Sequence, residues 1–259
     1  MNPRKRFTLY TLLLLSYTAL GQTEVSLIAE YGLAKSLYEM TSNNADLIAP
    51  QEYTIPFGIG LRVSKARYSL DIVYENRNFR ETGPRFNTRP EQIVDLGGGG
   101  SSNRIHSLNL IFGVDLLPKN EKFELVPEIG FGIGSMPSAI IVNREPTFQD
   151  SMDYTSYSHV LTEPDTAVLQ SGRMHSLSTS NHINWARVGL RVSYGLSHRW
   201  RVYMRMAYTH GLNTFNKAIF EIDDITLDEP IMGTVSYSGT TLALRFGLSY
   251  TFIGKEKNQ

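Results

Sequence analysis

Residues 241–252 read Thr-Leu-Ala-Leu-Arg-Phe-Gly-Leu-Ser-Tyr-Thr-Phe, so every second residue from Leu242 to Phe252 is a large apolar one. The residues between them are polar or small, and Arg245 and Gly247 lie near the middle. A period of two is typical of a β-strand whose two faces meet different surroundings. The segment therefore predicts a strand with one apolar face and one face of polar and small residues.

Seven earlier segments alternate in the same way, at about 24–33, 53–64, 68–77, 107–116, 123–134, 186–196 and 200–209. Three connections between them are short, around 65–67, 117–122 and 197–199, and four are long, about 38–52, 80–104, 136–182 and 212–239. Short turns at one end and long loops at the other are typical of a transmembrane barrel. The sequence predicts an all-β, eight-stranded antiparallel up-and-down transmembrane barrel, with both termini at the short-turn, periplasmic end.

The alternative is a soluble barrel or sandwich, which also alternates but turns its apolar face inward. Glycines on the polar face favour a narrow lumen, and aromatic residues near both strand ends favour two membrane interfaces. The predicted interface aromatics are Tyr31, Tyr53, Tyr74 and Tyr208 toward the long loops, and Trp200, Tyr250 and Phe252 toward the short turns. On the first strand, the same pattern predicts Val25 on the lipid face and Glu24 in the lumen.

Composition excludes several classes of protein. The chain has no Cys, which excludes disulfide scaffolds, thiolate zinc sites and Cys nucleophiles. Its 25 Lys and Arg balance its 25 Asp and Glu, which argues against nucleic-acid binding. A mean hydropathy of −0.21 argues against a helical membrane protein. No cofactor and no metal site are predicted.

The N-terminal segment has the layout of a secretory signal peptide. Arg4, Lys5 and Arg6 precede an apolar run at 7–20, and small residues occupy positions 19 and 21. The alternative, a membrane anchor, needs about 20 apolar residues to cross the hydrocarbon. We therefore predict a signal peptide at 1–21 and a single barrel domain at 22–259.

The alternation, the loop pattern and the run Glu128-Ile-Gly-Phe-Gly-Ile-Gly134 resemble the outer-membrane β-barrel domain family, which includes PorT-like proteins, and also eight-stranded barrels of the OmpA/OmpX type. The last strand resembles the terminal signal of such barrels, although residues 253–259 follow Phe252. The resemblance implies the outer membrane of a Gram-negative bacterium, with the membrane's lipid and the barrel-insertion machinery as partners. A PorT-like protein would take part in type IX secretion.

The lumen face is strongly charged. The predicted lumen charge network comprises Glu30, Arg62, Asp71, Glu75, Glu128, Arg187, Arg191, Arg205 and Arg245, and the same face carries Arg77, Asp115, Glu124 and Arg201. Reflection through the turn at 197–199 places Arg191 beside Arg205, and Glu128 is the nearest acid to bridge them. Glu30 is predicted to meet Arg245 where the barrel closes. The network is interpreted as a salt-bridged plug; the alternative is a gate or narrow polar path.

The loops contain few candidate chemical groups. His106, His182 and His210 lie near the predicted outer rim, and Ser180 precedes His182 on the same face, but no orienting acid occurs at a matching position. The acidic segment 212–239 is predicted to be a solvated loop; the alternative is a cation or partner site. We expect a structural, surface-interaction or accessory protein with an extracellular or secretion partner and no catalytic residues. The alternatives are a PorT-like secretion component and a lipid-modifying enzyme of the rim.

Overall fold

The computed structural model describes residues 23–45, 47–49, 51–79, 85–86, 103–120, 122–136, 154–163, 166–224 and 228–253. The predicted signal peptide and the residues after 253 lie outside this range. The strands are β1 Thr23–Leu37, β2 Glu39–Ser42, β3 Leu47–Ile48, β4 Gln51–Thr54, β5 Phe57–Lys65, β6 Tyr68–Phe79, β7 Arg85–Phe86, β8 Asn103–Val114, β9 Phe123–Ser135, β10 Tyr154–Glu163, β11 Thr166–Ser178, β12 His182–Gly195, β13 Trp200–Gly211, β14 Asn216–Asp224, β15 Ile231–Tyr237 and β16 Thr241–Ile253.

Eight of these strands close into a barrel. Their order is β1, β5, β6, β8, β9, β12, β13 and β16, every neighbouring pair is antiparallel, and β16 pairs again with β1 from Leu27↔Tyr250 to Ser36↔Thr241. Because the barrel is closed, each of its strands pairs with a neighbour on both sides. The predicted fold class, an eight-stranded antiparallel up-and-down barrel, is confirmed. No helix that is long and apolar enough to cross a membrane occurs in the described residues.

The barrel is polar inside and apolar outside. On β16, the side chains of Leu244, Phe246 and Leu248 are exposed, whereas the alternate residues Arg245 and Ser249 are buried. From residue 242 to residue 252, ten steps of ~3.3 Å tilted by about 40° give an apolar band about 25 Å tall. That height and polarity suit a barrel surrounded by hydrocarbon rather than by water.

The start of β1 departs from the predicted alternation. The pairing of β1 with β16 shifts register between Val25 and Ser26, which marks a β-bulge or a similar irregularity. A bulge inserts one residue and so exchanges the two faces of a strand beyond it. Val25 is consequently buried and Glu24 exposed, so the predicted positions of these two residues were wrong.

A second sheet lies at the end of the barrel that carries the long connections. Its order is β10, β11, β14, β15 and β2, all antiparallel, and we call it the cap sheet. The opposite end, with the turns at 66–67, 115–122 and 196–199, is the turn end. The acidic segment predicted to be a solvated loop contains β14 and β15, and that prediction was wrong because the segment's apolar side chains are buried.

The cap sheet is built with the opposite polarity to the barrel. Its strands β14 and β15 bury Phe220, Ile222 and Val235, whereas Met232 and Thr234 face outward. An apolar face turned inward and a polar face turned outward are typical of a sheet in water. The reversal therefore marks the height along the molecule at which the surroundings change from lipid to water.

Two exposed methionines test this reversal. Met204 on β13 and Met232 on β15 are 40% and 45% exposed, respectively. Met204→Arg should destabilise the barrel by about 2–4 kcal/mol, because a guanidinium near the bilayer midplane loses its hydration. Met232→Arg should change stability by less than about 0.5 kcal/mol, as expected of a surface position in water. Urea unfolding of the protein refolded in lipid vesicles measures both, and equal effects would contradict a lipid-facing barrel surface.

Candidate functional site

Arg205 crosses the centre of the lumen and contacts three carboxylates from three other strands. Its Nη1 donates to Glu30 Oε2 on β1 at 2.6 Å, and its Nε donates to Glu128 Oε2 on β9 at 2.8 Å. Its Nη2 donates to Glu128 Oε1 at 3.1 Å and to Asp71 on β6. The residue is fully buried. A guanidinium can satisfy several carboxylates at once because its five N–H donors lie in one rigid plane.

Each of these carboxylates also binds a second arginine. Arg62 forms a two-bond contact with Asp71, with Nε to Oδ1 at 2.7 Å and Nη2 to Oδ2 at 2.8 Å. Arg191 donates to Glu128 Oε1 at 2.9 Å, so Glu128 lies between Arg191 and Arg205. Such two-bond contacts fix direction as well as charge. The pairs therefore join into one connected network rather than isolated bridges.

The network continues toward both ends of the barrel. Toward the cap sheet, Arg245 Nη1 donates to Glu30 Oε1 and to Glu75 Oε2, both at 2.8 Å. Toward the turn end, Arg191 Nη1 reaches Glu124 Oε2 at 3.0 Å, and Arg201 Nη1 lies 3.0 Å from Glu124 Oε1. Among the described residues, five carboxylates and five guanidinium groups are joined in this way.

Uncharged side chains complete the hydrogen bonding around the ions. Tyr203 donates to Glu30 Oε2 at 3.1 Å, and its ring lies 5.0 Å from the guanidinium carbon of Arg62. Trp185 Nε1 donates to Asn109 Oδ1 at 2.9 Å, and Asn109 Nδ2 lies 3.5 Å from Glu75 Oε2. Buried polar networks are stable only when their members are satisfied. Through Trp185, these bonds also connect the ion pairs to an apolar cluster nearer the cap sheet.

An apolar cluster closes the cap end of the lumen. We call it the cap cluster, and its buried members are Leu47, Ile105, Met136, Ile183, Trp185, Phe215, Ala218, Phe220, Ile222, Ile231, Val235 and Tyr237. Trp185 belongs to a barrel strand, whereas Phe220 and Val235 belong to the cap sheet. A β-carbon at Gly132 would overlap the indole of Trp185, so glycine is required there for the ring to lie across the lumen.

The turn at 238–240 holds the cap sheet against the lumen. Gly239 has a φ of 83°, a conformation that residues with a side chain rarely adopt. A β-carbon there would lie 3.2 Å from Arg77 Nη2 and 3.3 Å from Ile183 Cγ2, so this turn packs directly on the rim. The guanidinium carbon of Arg77 also lies 5.0 Å from the ring centre of Trp185. The lumen is therefore covered by one layer of apolar contacts and filled below it by ion pairs.

Tyr38, just after β1, carries a buried polar contact of the cap region. Its hydroxyl donates to Glu52 Oε2 at 2.6 Å, and its ring packs edge-on against Tyr237 at 4.6 Å. Burial and the neighbouring Glu52 carboxylate raise the pKa of Tyr38 far above its ordinary value. The phenol therefore stays protonated and continues to donate at every physiological pH.

The structure places all nine residues of the predicted network in the lumen, and each of them is buried. Eight of them take part in ion pairs. The ninth, Arg187, is buried without a hydrogen bond from its Nε or Nη2 to any described group. Asp115 was wrongly predicted to be in the lumen; it follows β8, and its Oδ1 accepts from the backbone N–H groups of Leu117 and Leu125.

The predicted interface aromatics lie on the outer surface in two groups. Tyr31, Tyr53, Tyr74 and Tyr208 are exposed toward the cap end, and Trp200, Tyr250 and Phe252 lie near the turn end, where Tyr250 is half-buried. Trp200 packs at a tilt against Tyr250 with ring centres 4.7 Å apart, and Phe123 packs at a tilt against Tyr194 at 4.9 Å. Aromatic rings near both edges of an apolar band are typical of barrels in membranes.

The rim residues considered for catalysis make other contacts. The hydroxyl of Ser180 donates to the backbone carbonyl of His182 at 2.8 Å and accepts from the His182 N–H at 3.0 Å, which is a local turn. His106 Nδ1 lies 2.6 Å from the hydroxyl of Tyr74. Within the described range, no group of three or more His, Asp or Glu is placed to hold a metal ion.

Fold and lumen together define a class: a closed eight-stranded antiparallel barrel with a charge-filled interior, an apolar exterior and a sheet over one end. No family model matches the sequence, and no curated protein matches it. Solved structures of similar shape include the outer membrane protein OprG of Pseudomonas aeruginosa, with 11% identity, a TM-score of 0.43, and coverage of 90% of this chain and 98% of that one.

Two further structures are comparable in shape. A major outer membrane protein of Thermus thermophilus has 10% identity and a TM-score of 0.46, over 89% of this chain and 99% of that one. Ail, the attachment invasion locus protein of Yersinia pestis, has 10% identity and a TM-score of 0.34, again over 89% and 99%. At these scores the likenesses carry no argument about function, and the fold assignment rests on the strand pairing.

Substitution of Glu128 tests whether water enters the ion-pair network. Glu128→Gln should destabilise the protein by about 3–5 kcal/mol, because Arg191 and Arg205 would both lose a buried counter-charge. Asp228→Asn is the matched control, since Asp228 is exposed, and it should have almost no effect. A double variant with Arg191→Met should recover part of the loss, because one uncompensated charge is removed. Urea unfolding in lipid measures all three, and an unchanged Glu128→Gln would indicate a water-filled lumen.

Proposed function

We propose that this chain is an integral outer-membrane barrel that does not conduct solutes and that acts at the cell surface through its cap sheet. The observation that carries the first part is the position of Arg205, whose guanidinium bonds to carboxylates on β1, β6 and β9 and so spans the lumen. Eight strands leave an interior only wide enough for side chains, and here the side chains are tied to one another.

The location in a membrane is supported by the reversal of polarity between barrel and cap sheet. The barrel exposes leucine, isoleucine and phenylalanine over a height that matches a hydrocarbon layer, and the cap sheet buries the same residue types. A soluble barrel would bury them in both parts. The Gram-negative outer membrane, with its insertion machinery and lipid as partners, is the membrane that accommodates closed β-barrels of this kind.

The role at the surface is supported by the edges of the cap sheet. Its two outermost strands are β10 and β2, and among the described residues each of them pairs on one side only. Edge strands with free N–H and C=O groups are ready to pair with an added strand of another protein. A structural or accessory role that uses this edge for a surface partner therefore fits the arrangement better than transport does.

The other two functions considered from the sequence have less support. A PorT-like role in type IX secretion rests on the resemblance of the sequence alone, and co-purification from solubilised outer membranes tests it. A lipid-modifying rim enzyme would need the Ser180 hydroxyl beside an imidazole, but the hydroxyl bonds to the backbone of His182. We therefore propose a protein without catalytic activity.

Electrical recording tests the proposed seal. The refolded protein in a planar bilayer should show no resolvable open-channel current, because Arg205 and the cap cluster obstruct the lumen in series. A double variant, Arg205→Ala with Glu128→Ala, removes an ion pair that crosses the lumen but leaves the cap cluster in place, so it should also stay closed. An open-channel current through the wild-type protein would contradict the sealed barrel.

The natural absence of cysteine allows a clean test of orientation. Met232→Cys introduces a thiol on the exposed face of the cap sheet, and Lys119→Cys introduces one in an exposed connection at the turn end. If the cap sheet is extracellular, a membrane-impermeant maleimide should label the first variant on intact cells and the second only after lysis. Labelling of Lys119→Cys on intact cells would show the reverse orientation.

A further inference from the structure

Arg187 is a lumen cation that forms no ion pair with any described residue. The ion pairs of the lumen use five carboxylates and five guanidinium groups, and Arg187 is outside this balance. The residue is only 4% exposed, yet neither Nε nor Nη2 has a hydrogen-bond partner in the described part of the chain. A guanidinium cannot lose its charge inside a protein. A buried charge without a partner is costly, so the site calls for an anion.

The carboxylates that act on Arg187 electrostatically, Glu75 and Glu30, already bond to other arginines. On either side along the sheet, Arg187 pairs with Gly130 on β9 and Thr209 on β13. The next lumen-facing residues on its own strand are Trp185 and Gly189. None of these four side chains carries a negative charge.

Two further unused donors lie on neighbouring arginines. Arg245 uses Nη1 for both of its carboxylates, and its Nε is buried without an acceptor among the described groups. Nη2 of Arg77 is likewise buried without an acceptor in the part of the chain that the structure describes. Arg187, Arg245 and Arg77 all act electrostatically on the same carboxylate, Glu75, which places the three guanidinium groups around one region of the lumen.

We propose that this region, between the ion-pair network and the cap cluster, binds a small inorganic anion of the halide class. Unused N–H donors of Arg187 and Arg245 would point at the anion, and the anion would neutralise the surplus charge of Arg187. A halide fits because it accepts from several directions. A larger phosphorylated or carboxylated ligand does not fit, since the cap cluster closes the lumen above and Arg205 crosses it below.

An anion held at this position would bind the folded barrel and not the unfolded chain. Halide should therefore stabilise the barrel by mass action, and a hundredfold excess over the dissociation constant should lower the unfolded fraction about a hundredfold. The protein is refolded in zwitterionic vesicles, and its urea midpoint is measured while sodium gluconate is replaced by sodium chloride or sodium bromide at constant ionic strength. The midpoint should rise with either halide and then saturate.

Variants connect this response to the proposed site. Arg187→Met should lose the halide response and should be no less stable than the wild type in gluconate, because one uncompensated buried charge is removed. Arg104→Met removes an exposed arginine near the same rim and should keep the full response. A halide response that persists in Arg187→Met, or a wild-type midpoint that is the same in gluconate and halide, would overturn the proposal.

A second measurement covers the case in which Arg187→Met does not refold. Crystals of the wild-type protein grown in bromide should show an anomalous peak beside Arg187 and Arg245. The absence of that peak in well-ordered crystals would overturn the proposal independently of any variant.

Discussion

A charge enclosed by a barrel in lipid must find its counter-charge inside the same barrel, and most of the lumen follows from this constraint. Arg205 lies at the centre and is neutralised by carboxylates from three other strands. Each carboxylate then requires enough positive charge and donors for its remaining oxygen lone pairs, which Arg62, Arg191 and Arg245 supply. The network thus ties opposite walls of the barrel together as well as satisfying the buried ions.

The cap sheet separates the ion pairs from bulk water at one end of the barrel. Ion pairs that met bulk water there would be screened and weakened. The cap cluster places Trp185, Phe220 and other apolar side chains between the network and solvent. A dry lid strengthens the electrostatic contacts beneath it, since a low dielectric raises the energy of each pair. The described connections that form the cap cluster are consequently part of the plug.

The surplus of positive charge above Arg205 has a structural origin. Arg187 is on the lumen face of β12, where the alternation places polar and small residues. The residues that pair with it on β9 and β13 are Gly130 and Thr209. Elsewhere in the network an arginine always meets an acid on an adjacent or opposite strand. Local strand pairing alone therefore gives this side chain no counter-charge, and the carboxylates that act on it through space, Glu75 and Glu30, are bonded to other arginines.

The sequence by itself determined the barrel and much of its lumen. A period of two fixes which residues share a face, so the sequence alone predicts that Arg245, Glu128 and Arg205 lie in the lumen. The short hairpin at 197–199 allows reflection from one strand to the next, which places Arg191 beside Arg205. Glu128 is then the nearest acid in height on the neighbouring strand. Contacts between adjacent strands are readable because the turn between them sets the register.

Only the tertiary structure decided the contacts that cross the lumen and the arrangement of the long connections. That Arg205 reaches Asp71 and Glu30 depends on the shear and tilt of the closed barrel, which alternation does not encode. The bulge at Val25 inserts a residue without changing the composition of the strand, so the pattern gave no signal of it. The cap sheet pairs β2 with β15 across nearly 200 residues of chain. Pairing over such a separation is set by the burial of Phe220 and Val235 against the barrel, a packing event that a one-dimensional pattern cannot specify.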